Sequence, residues 1–169
     1  MSSIKLLCGL PGSGKSTLIK HFKDAYIICP DEIRFDVLQV QFDASKEEFV
    51  WRASKLIYKK ILNVAKKHNI DIVIDCTNLN IQHRNKWTLF ALEFKIPVDC
   101  YIFNIPIDVC FERNENRKMV VPKDVIKKMS NNFQPPTYSE GFRNIYLVDK
   151  KHSIKRFLWA KSLNELLIN

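Results

Sequence analysis

Residues Gly9-Leu10-Pro11-Gly12-Ser13-Gly14-Lys15-Ser16-Thr17 follow the phosphate-loop pattern G-x-x-x-x-G-K-[ST], which few architectures can accommodate. The loop needs a buried strand before it and a helix after it. Ile4-Lys5-Leu6-Leu7-Cys8 reads as that strand, and Leu18-Ile19-Lys20-His21-Phe22-Lys23 reads as that helix. Glycines let the backbone curl until several N–H groups face one anion. The spacing therefore predicts that Gly12, Ser13, Gly14, Lys15, Ser16 and Thr17 hold the phosphates of a nucleoside triphosphate. Lys15 reaches the β- and γ-phosphates in such a loop, and the Ser16 hydroxyl ligates Mg²⁺.

The rest of the chain alternates in the same way. Further strands are expected at 25–29, 71–75, 98–103 and 144–148. Helical periodicity runs from Glu47 to His68 and through Trp87, Phe90, Ala91 and Phe94. Residues 107–118 and 122–132 also read as helices, with Pro122 suited to a first turn, and the tail from Ser153 reads as a closing helix. Five short apolar strands separated by helices imply one doubly wound α/β domain over residues 1–169. Its sheet is expected to be mostly parallel and five-stranded, with helices on both faces.

Composition narrows the function classes. Apolar runs are too short for a membrane span, and the first strand begins at Ile4, so neither a membrane partner nor a secretory leader is expected. The five cysteines form no C-x-x-C pair, which suits reduced thiols in a cytoplasmic protein better than a metal site. Lysine and arginine number 27 against 18 acidic residues, a net charge of +9. A triphosphate site does not need that excess, whereas an acceptor rich in phosphates would use it.

A chain of 169 residues leaves little room for a motor's coupling machinery, so phosphoryl transfer is the expected chemistry. Transfer to a hydroxyl needs a base, cations around the moving charge and a cover against water. Asp31 follows the second strand and should share a crevice with the loop, because ligands in such sheets sit at the strands' carboxyl ends. Arg34, three residues on, falls on the same helical face and has the fork to bind a phosphate. Asp31 as a helix cap with Arg34 as a surface charge is the plainer alternative. Asp75, Thr77 and Asn78 end the third strand and are candidates for the metal's water shell or the acceptor, or for a local turn. Arg113 and Arg117, four apart, are candidates for a lid over the phosphates, or for a solvated helix end.

These pieces resemble the 5′-kinase domain of polynucleotide kinases, phage and mammalian. The resemblance is carried by Leu10 to Thr17, Asp31-x-x-Arg34, Thr77-Asn78-Leu79-Asn80 ahead of Arg84 and Trp87, Arg113-x-x-x-Arg117 with Val121-Pro122, and Phe133 to Phe142. It implies a P-loop kinase fold and an ATP- and Mg²⁺-dependent transfer to the 5′-hydroxyl of DNA or RNA. Asp31 would be the general base, Arg34 the clamp on the neighbouring acceptor phosphate, and Lys15 and Arg117 the stabilisers of the transferring group. Arg113 would lie nearer the nucleotide, and Thr77 and Asn78 on the acceptor side. Cys76 stands where the phage relative carries an acid, so Asp75 would reach the metal through water. The implied partners are nucleic-acid 5′ ends and separate phosphatase and ligase proteins. The alternatives are a small-molecule, nucleotide or seryl-tRNA-type kinase, or a nucleotide-gated accessory binding protein. The segment 133–142 is expected to pack back onto the sheet.

Overall fold

A computed structural model describes residues 1–39, 43–117 and 119–157. The strands are β1 (Ile4–Cys8), β2 (Tyr26–Ile28), β3 (Ile72–Ile74), β4 (Val98–Phe103), β5 (Asn144–Val148) and β6 (Ile154–Arg156). The helices are α1 (Lys15–Ile19), α2 (Pro30–Glu32), α3 (Glu47–His68), α4 (Ile81–Glu93), α5 (Ile107–Glu115) and α6 (Lys123–Asn131). Helix α2 runs on into a π-helical stretch, Ile33–Val37.

Among the described residues the sheet has six strands in the order β2-β3-β1-β4-β5-β6, with β1 to β5 parallel and β6 antiparallel to β5. The expectation of five strands and a helix from Ser153 is therefore corrected. Residues 154–156 pair with Tyr146, Leu147 and Val148, and the remainder of the expected helix, 158–169, lies outside the described residues.

Alternation along the strands gives the sheet two apolar faces. Ile4, Leu6, Ile72, Ile74, Cys100 and Ile102 face α3 and α4, where Tyr58, Leu62, Trp87 and Phe90 meet them. Leu7, Val73, Tyr101 and Phe103 face the other way, toward Leu18 of α1 and Cys110 of α5. Trp51 and Trp87 lock α3 to α4, with ring centroids 5.0 Å apart and edge to face. Such a pair adds about 1 kcal/mol beyond its buried area. One charge sits inside strand β4. Asp99 is buried there because Arg143 Nε and Asn144 Nδ2 each donate to its Oδ1 at 2.9 Å.

The chain moves from β1 outward to β2, back to β3, and then crosses to β4 on the opposite side of β1. That reversal opens a crevice beyond the carboxyl ends of β1 and its neighbours, where ligands bind in such sheets. The loops carrying Gly9–Thr17, Asp31 and Asp75 all leave the sheet at this edge.

Candidate active site

The phosphate loop is built around positions that reject a side chain. A Cβ on Gly9 would meet Phe103 Cβ and Ser13 Oγ at 2.8 Å, so the loop lies flat against β4. Gly12 has φ +79°, and a Cβ there would come within 2.3 Å of the Cys110 carbonyl oxygen. The loop's entry is pinned by Gly9 N–H donating to Thr77 O at 3.0 Å, which couples it to the end of β3. Gly12→Ala should therefore push the loop off α5. We expect a loss of about 1–3 kcal/mol in urea unfolding and at least a tenfold weaker ATP titration.

Lys15 folds back over this loop. Its Nζ donates to Gly9 O at 2.9 Å and to Leu10 O at 2.8 Å. Burial lowers its pKa below the ordinary lysine value, opposed first by the nearby Asp75 carboxylate, while Arg117 lowers it further. Burial likewise raises the Asp75 carboxyl, Lys15 and Arg117 pull it back down, and Asp31 raises it. Asp75 therefore feels Lys15, Arg117 and Asp31, although four different segments supply these residues.

Asp31 lies in the short helix after β2, with Pro30 in its first turn. Arg34 donates through Nη1 to Asp31 Oδ1, as their three-residue spacing allows. The pair is lopsided, because the Arg34 side chain is 5% exposed and that of Asp31 is 68% exposed. The buried guanidinium thus holds a carboxylate that faces solvent.

Asn78 shows the local-turn alternative's features. It is 0% exposed, takes φ +48°, and turns its amide inward to donate to Leu7 O at 2.8 Å. The amide nitrogen so committed ties β1 to the end of β3, while Oδ1 is buried without a hydrogen-bond partner. Thr77 remains half-buried at the crevice edge.

Arg113 ends α5, close to the loop, with Nη1 3.5 Å from where a Gly14 Cβ would lie. Arg117 follows, exposed at its own position yet felt electrostatically at both Lys15 and Asp75. The connection from α5 to α6 is closed by a residue that sequence reasoning missed. Asn114, 1% exposed, donates Nδ2 to Val121 O at 2.8 Å and accepts from Val121 N at 3.2 Å. Its signal was a buried-face polar residue inside an otherwise charged helix end.

The segment 133–142 packs against the start of α4. Gln134 N donates to Leu79 O and Ile81 N donates to Gln134 Oε1, both at 2.9 Å. Its anchor is the Glu140 carboxylate, gripped by Arg84 Nε at 2.7 Å and Nη2 at 3.0 Å. Between this segment and the phosphate loop lies a pocket of about 460 Å³, walled by Leu10, Leu79, Pro106 and Phe133, with Asn104 and Ser130 as polar groups. Its Gly9–Leu10 rim carries the two carbonyls that hold Lys15.

The set fits a triphosphate with a divalent cation. The glycines leave a cradle, Lys15 supplies a compact cation, and the Ser13 hydroxyl is buried with no partner inside that cradle. Among the described residues, no group of three His, Cys, Asp or Glu side chains is gathered for a metal. Mg²⁺ would therefore rest on Ser16 and the phosphates, with Asp75 behind water, as this hard cation prefers. Among the described residues no helix is long and apolar enough to cross a membrane.

An AAA domain family model matches residues 4–136. The chain is 28% identical over 148 residues to a bifunctional polynucleotide phosphatase/kinase of Schizosaccharomyces pombe, covering 84% of this chain and 32% of that protein. It is 28% identical over 141 residues to an L-seryl-tRNA(Sec) kinase of Methanococcus maripaludis, covering 78% of this chain and 52% of that one. The chain thus spans about half or less of the length of these relatives. Its fold resembles a chain in the Pnkp1/Rnl/Hen1 RNA repair complex, with TM-score 0.64 at 18% identity, covering 96% of this chain and 50% of that one. With a matched family model over most of its length, the chain belongs to the AAA domain family, as a P-loop domain.

Proposed function

We propose that this domain transfers the γ-phosphoryl group of ATP to the 5′-hydroxyl of a nucleic-acid strand. One observation carries the reading: Asp75 feels both the solvent-facing Asp31 carboxylate, held by buried Arg34, and Lys15 of the phosphate loop. A base opposite the γ-phosphate end of a triphosphate loop suits in-line attack by a hydroxyl. Asp31 takes the proton as the 5′-oxygen bonds to the γ-phosphorus. The bond from that phosphorus to the bridging oxygen breaks, and ADP leaves. Lys15 and Arg117 face the charge that builds on the moving group. Mg²⁺, when bound, neutralises the β- and γ-oxygens. Arg34 orients Asp31 and, through the same guanidinium, is the proposed clamp on the next acceptor phosphate, with Thr77 a second proposed acceptor contact.

The acceptor class is supported by the likeness to a polynucleotide phosphatase/kinase and by the charge. Lys127 and Lys128 of α6 and Lys150, Lys151, Lys155 and Arg156 around β6 are exposed and basic. Separate phosphatase and ligase proteins would complete end healing. A tRNA hydroxyl is the second reading, favoured by the similarity to the seryl-tRNA kinase.

The test is transfer of γ-labelled phosphate across a panel of 5′-OH DNA, 5′-OH RNA, charged and uncharged tRNA, nucleosides and sugars. Label on oligonucleotide 5′ ends, weakening steeply with salt, is the expected result. Label on seryl-tRNA or a small molecule alone would overturn it. Asp31→Asn should lower kcat roughly a hundredfold while ATP still binds, the low end of what a general base contributes.

A further inference from the structure

The last turns of α4 are apolar where they meet solvent. Leu89 is 66% exposed and Leu92 is 71% exposed. They line one wall of a groove of about 640 Å³, in which Val98 and Phe142 are buried. The opposite wall is the turn through Gly141, beside the Glu140 carboxylate that Arg84 grips. Arg143 N donates to Val98 O at 2.8 Å and ties that wall to β4. Single exposed leucines are ordinary, but two along one apolar groove mark a surface that something covers.

The chain itself delivers the occupant. Strand β6 runs antiparallel to β5, so it travels from Val148 back towards Asn144. Phe157 N donates to Ile145 O at 2.8 Å, and the Tyr138 hydroxyl donates to Phe157 O at 2.7 Å. Phe157 therefore leaves the sheet close in sequence and space to Arg143, which lines the groove. Residues 158–169 come next in the sequence and lie outside the described residues. Among them Trp159, Leu163, Leu166 and Leu167 recur at i, i+4, i+7 and i+8, the spacing of one apolar stripe. Glu165 is opposite in sign to Lys95 and Arg143 at the groove's rim. A second copy of the chain suits the groove less well, because each copy carries a net charge of +9 and the rim is itself basic.

We infer that the groove between α4 and the Gly141 turn is the docking site of residues 158–169 of the same chain, with Trp159 and the leucines covering Leu89 and Leu92. Docking there braces the 133–142 segment from outside, on the side away from its contacts with Leu79 and Ile81. The segment thereby supports a site that it does not touch.

The test is trypsin cleavage after Lys161 in the full chain, timed by mass spectrometry. The variants are Leu89→Glu/Leu92→Glu in the groove, Trp159→Ala/Leu166→Ala in the segment, and Leu56→Glu as a control. Leu56 is exposed on α3 and does not line the groove. Both double variants should be cut at least about tenfold faster than wild type, because cleavage follows the population of the undocked form. Leu56→Glu should stay within twofold. Wild type cut as fast as the groove variant would overturn the inference. A rise for the segment variant alone would overturn it too, since the segment would then dock elsewhere. A wild-type rate that falls as protein concentration rises would give the groove to a second copy and overturn it equally. Should the groove variant melt early in circular dichroism, Leu92→Gln, a single uncharged change at an exposed position, replaces it with the same expected direction.

Discussion

Lys15→Met should cut phosphoryl transfer roughly a thousandfold, at the upper end of what removal of one preorganised donor costs. The size follows from where the ammonium stands. Burial already lowers the Lys15 pKa and Arg117 lowers it further, with Asp75 first among the groups that oppose them. An arriving triphosphate relieves that tension, and the charge growing on the transferring group relieves it again. Methionine keeps the stem's volume and removes the ammonium. The change leaves Gly9 O and Leu10 O without their donor, yet it also removes a buried charge. These effects oppose each other, so the melting temperature should stay within a few degrees of wild type. Activity should fall while the fold survives, and circular dichroism melts run beside the kinase assay would separate the two. Loss of activity that tracked loss of fold would mean that Lys15 mainly braces the loop.

The parts of the site legible in the sequence are those whose chemistry requires a fixed residue at a fixed spacing. Gly12 and Lys15 could be placed because a curled loop tolerates few alternatives, and α3 because twenty-two residues give its periodicity room to show. Asp31 and Asp75 followed from the rule that strand ends line the crevice. What escaped depends on contacts distant in sequence. Strand β6 is three exposed residues, Ile-Lys-Arg, held by pairing to β5, and nothing in that triplet distinguishes it from a helix end. Asn78 looked like a site group because it is polar and ends a strand. Its inward turn needs Leu7, 71 residues away, as an acceptor. His152 comes to Gly14 only through the folded β5–β6 turn.

Arg84→Ala should cost about 3–5 kcal/mol, the largest stability loss among these substitutions. Arg84 is 0% exposed and its partner Glu140 has a side chain only 4% exposed. Besides the carboxylate, the guanidinium feeds Gln134 O at 2.8 Å and Asn78 O at 3.1 Å through Nη1. Alanine would strand a buried negative charge and take a donor from both carbonyls. A domain of this size has about 5–15 kcal/mol in total, so a urea midpoint near the edge of folding is expected. Arg84→Lys keeps the charge but has no fork to span four acceptors, so it should fall between wild type and alanine. The double variant Arg84→Met/Glu140→Gln removes both charges at similar volume and should recover 1 kcal/mol or more over Arg84→Ala, roughly the difference between breaking a buried pair and replacing it. Activity should follow the same order. Asn78 lies next to Thr77, whose carbonyl receives the Gly9 amide, so slack at Arg84 passes through two residues into the phosphate loop. Arg84→Ala with an unfolding free energy within 1 kcal/mol of wild type would show that the 133–142 segment holds without this pair.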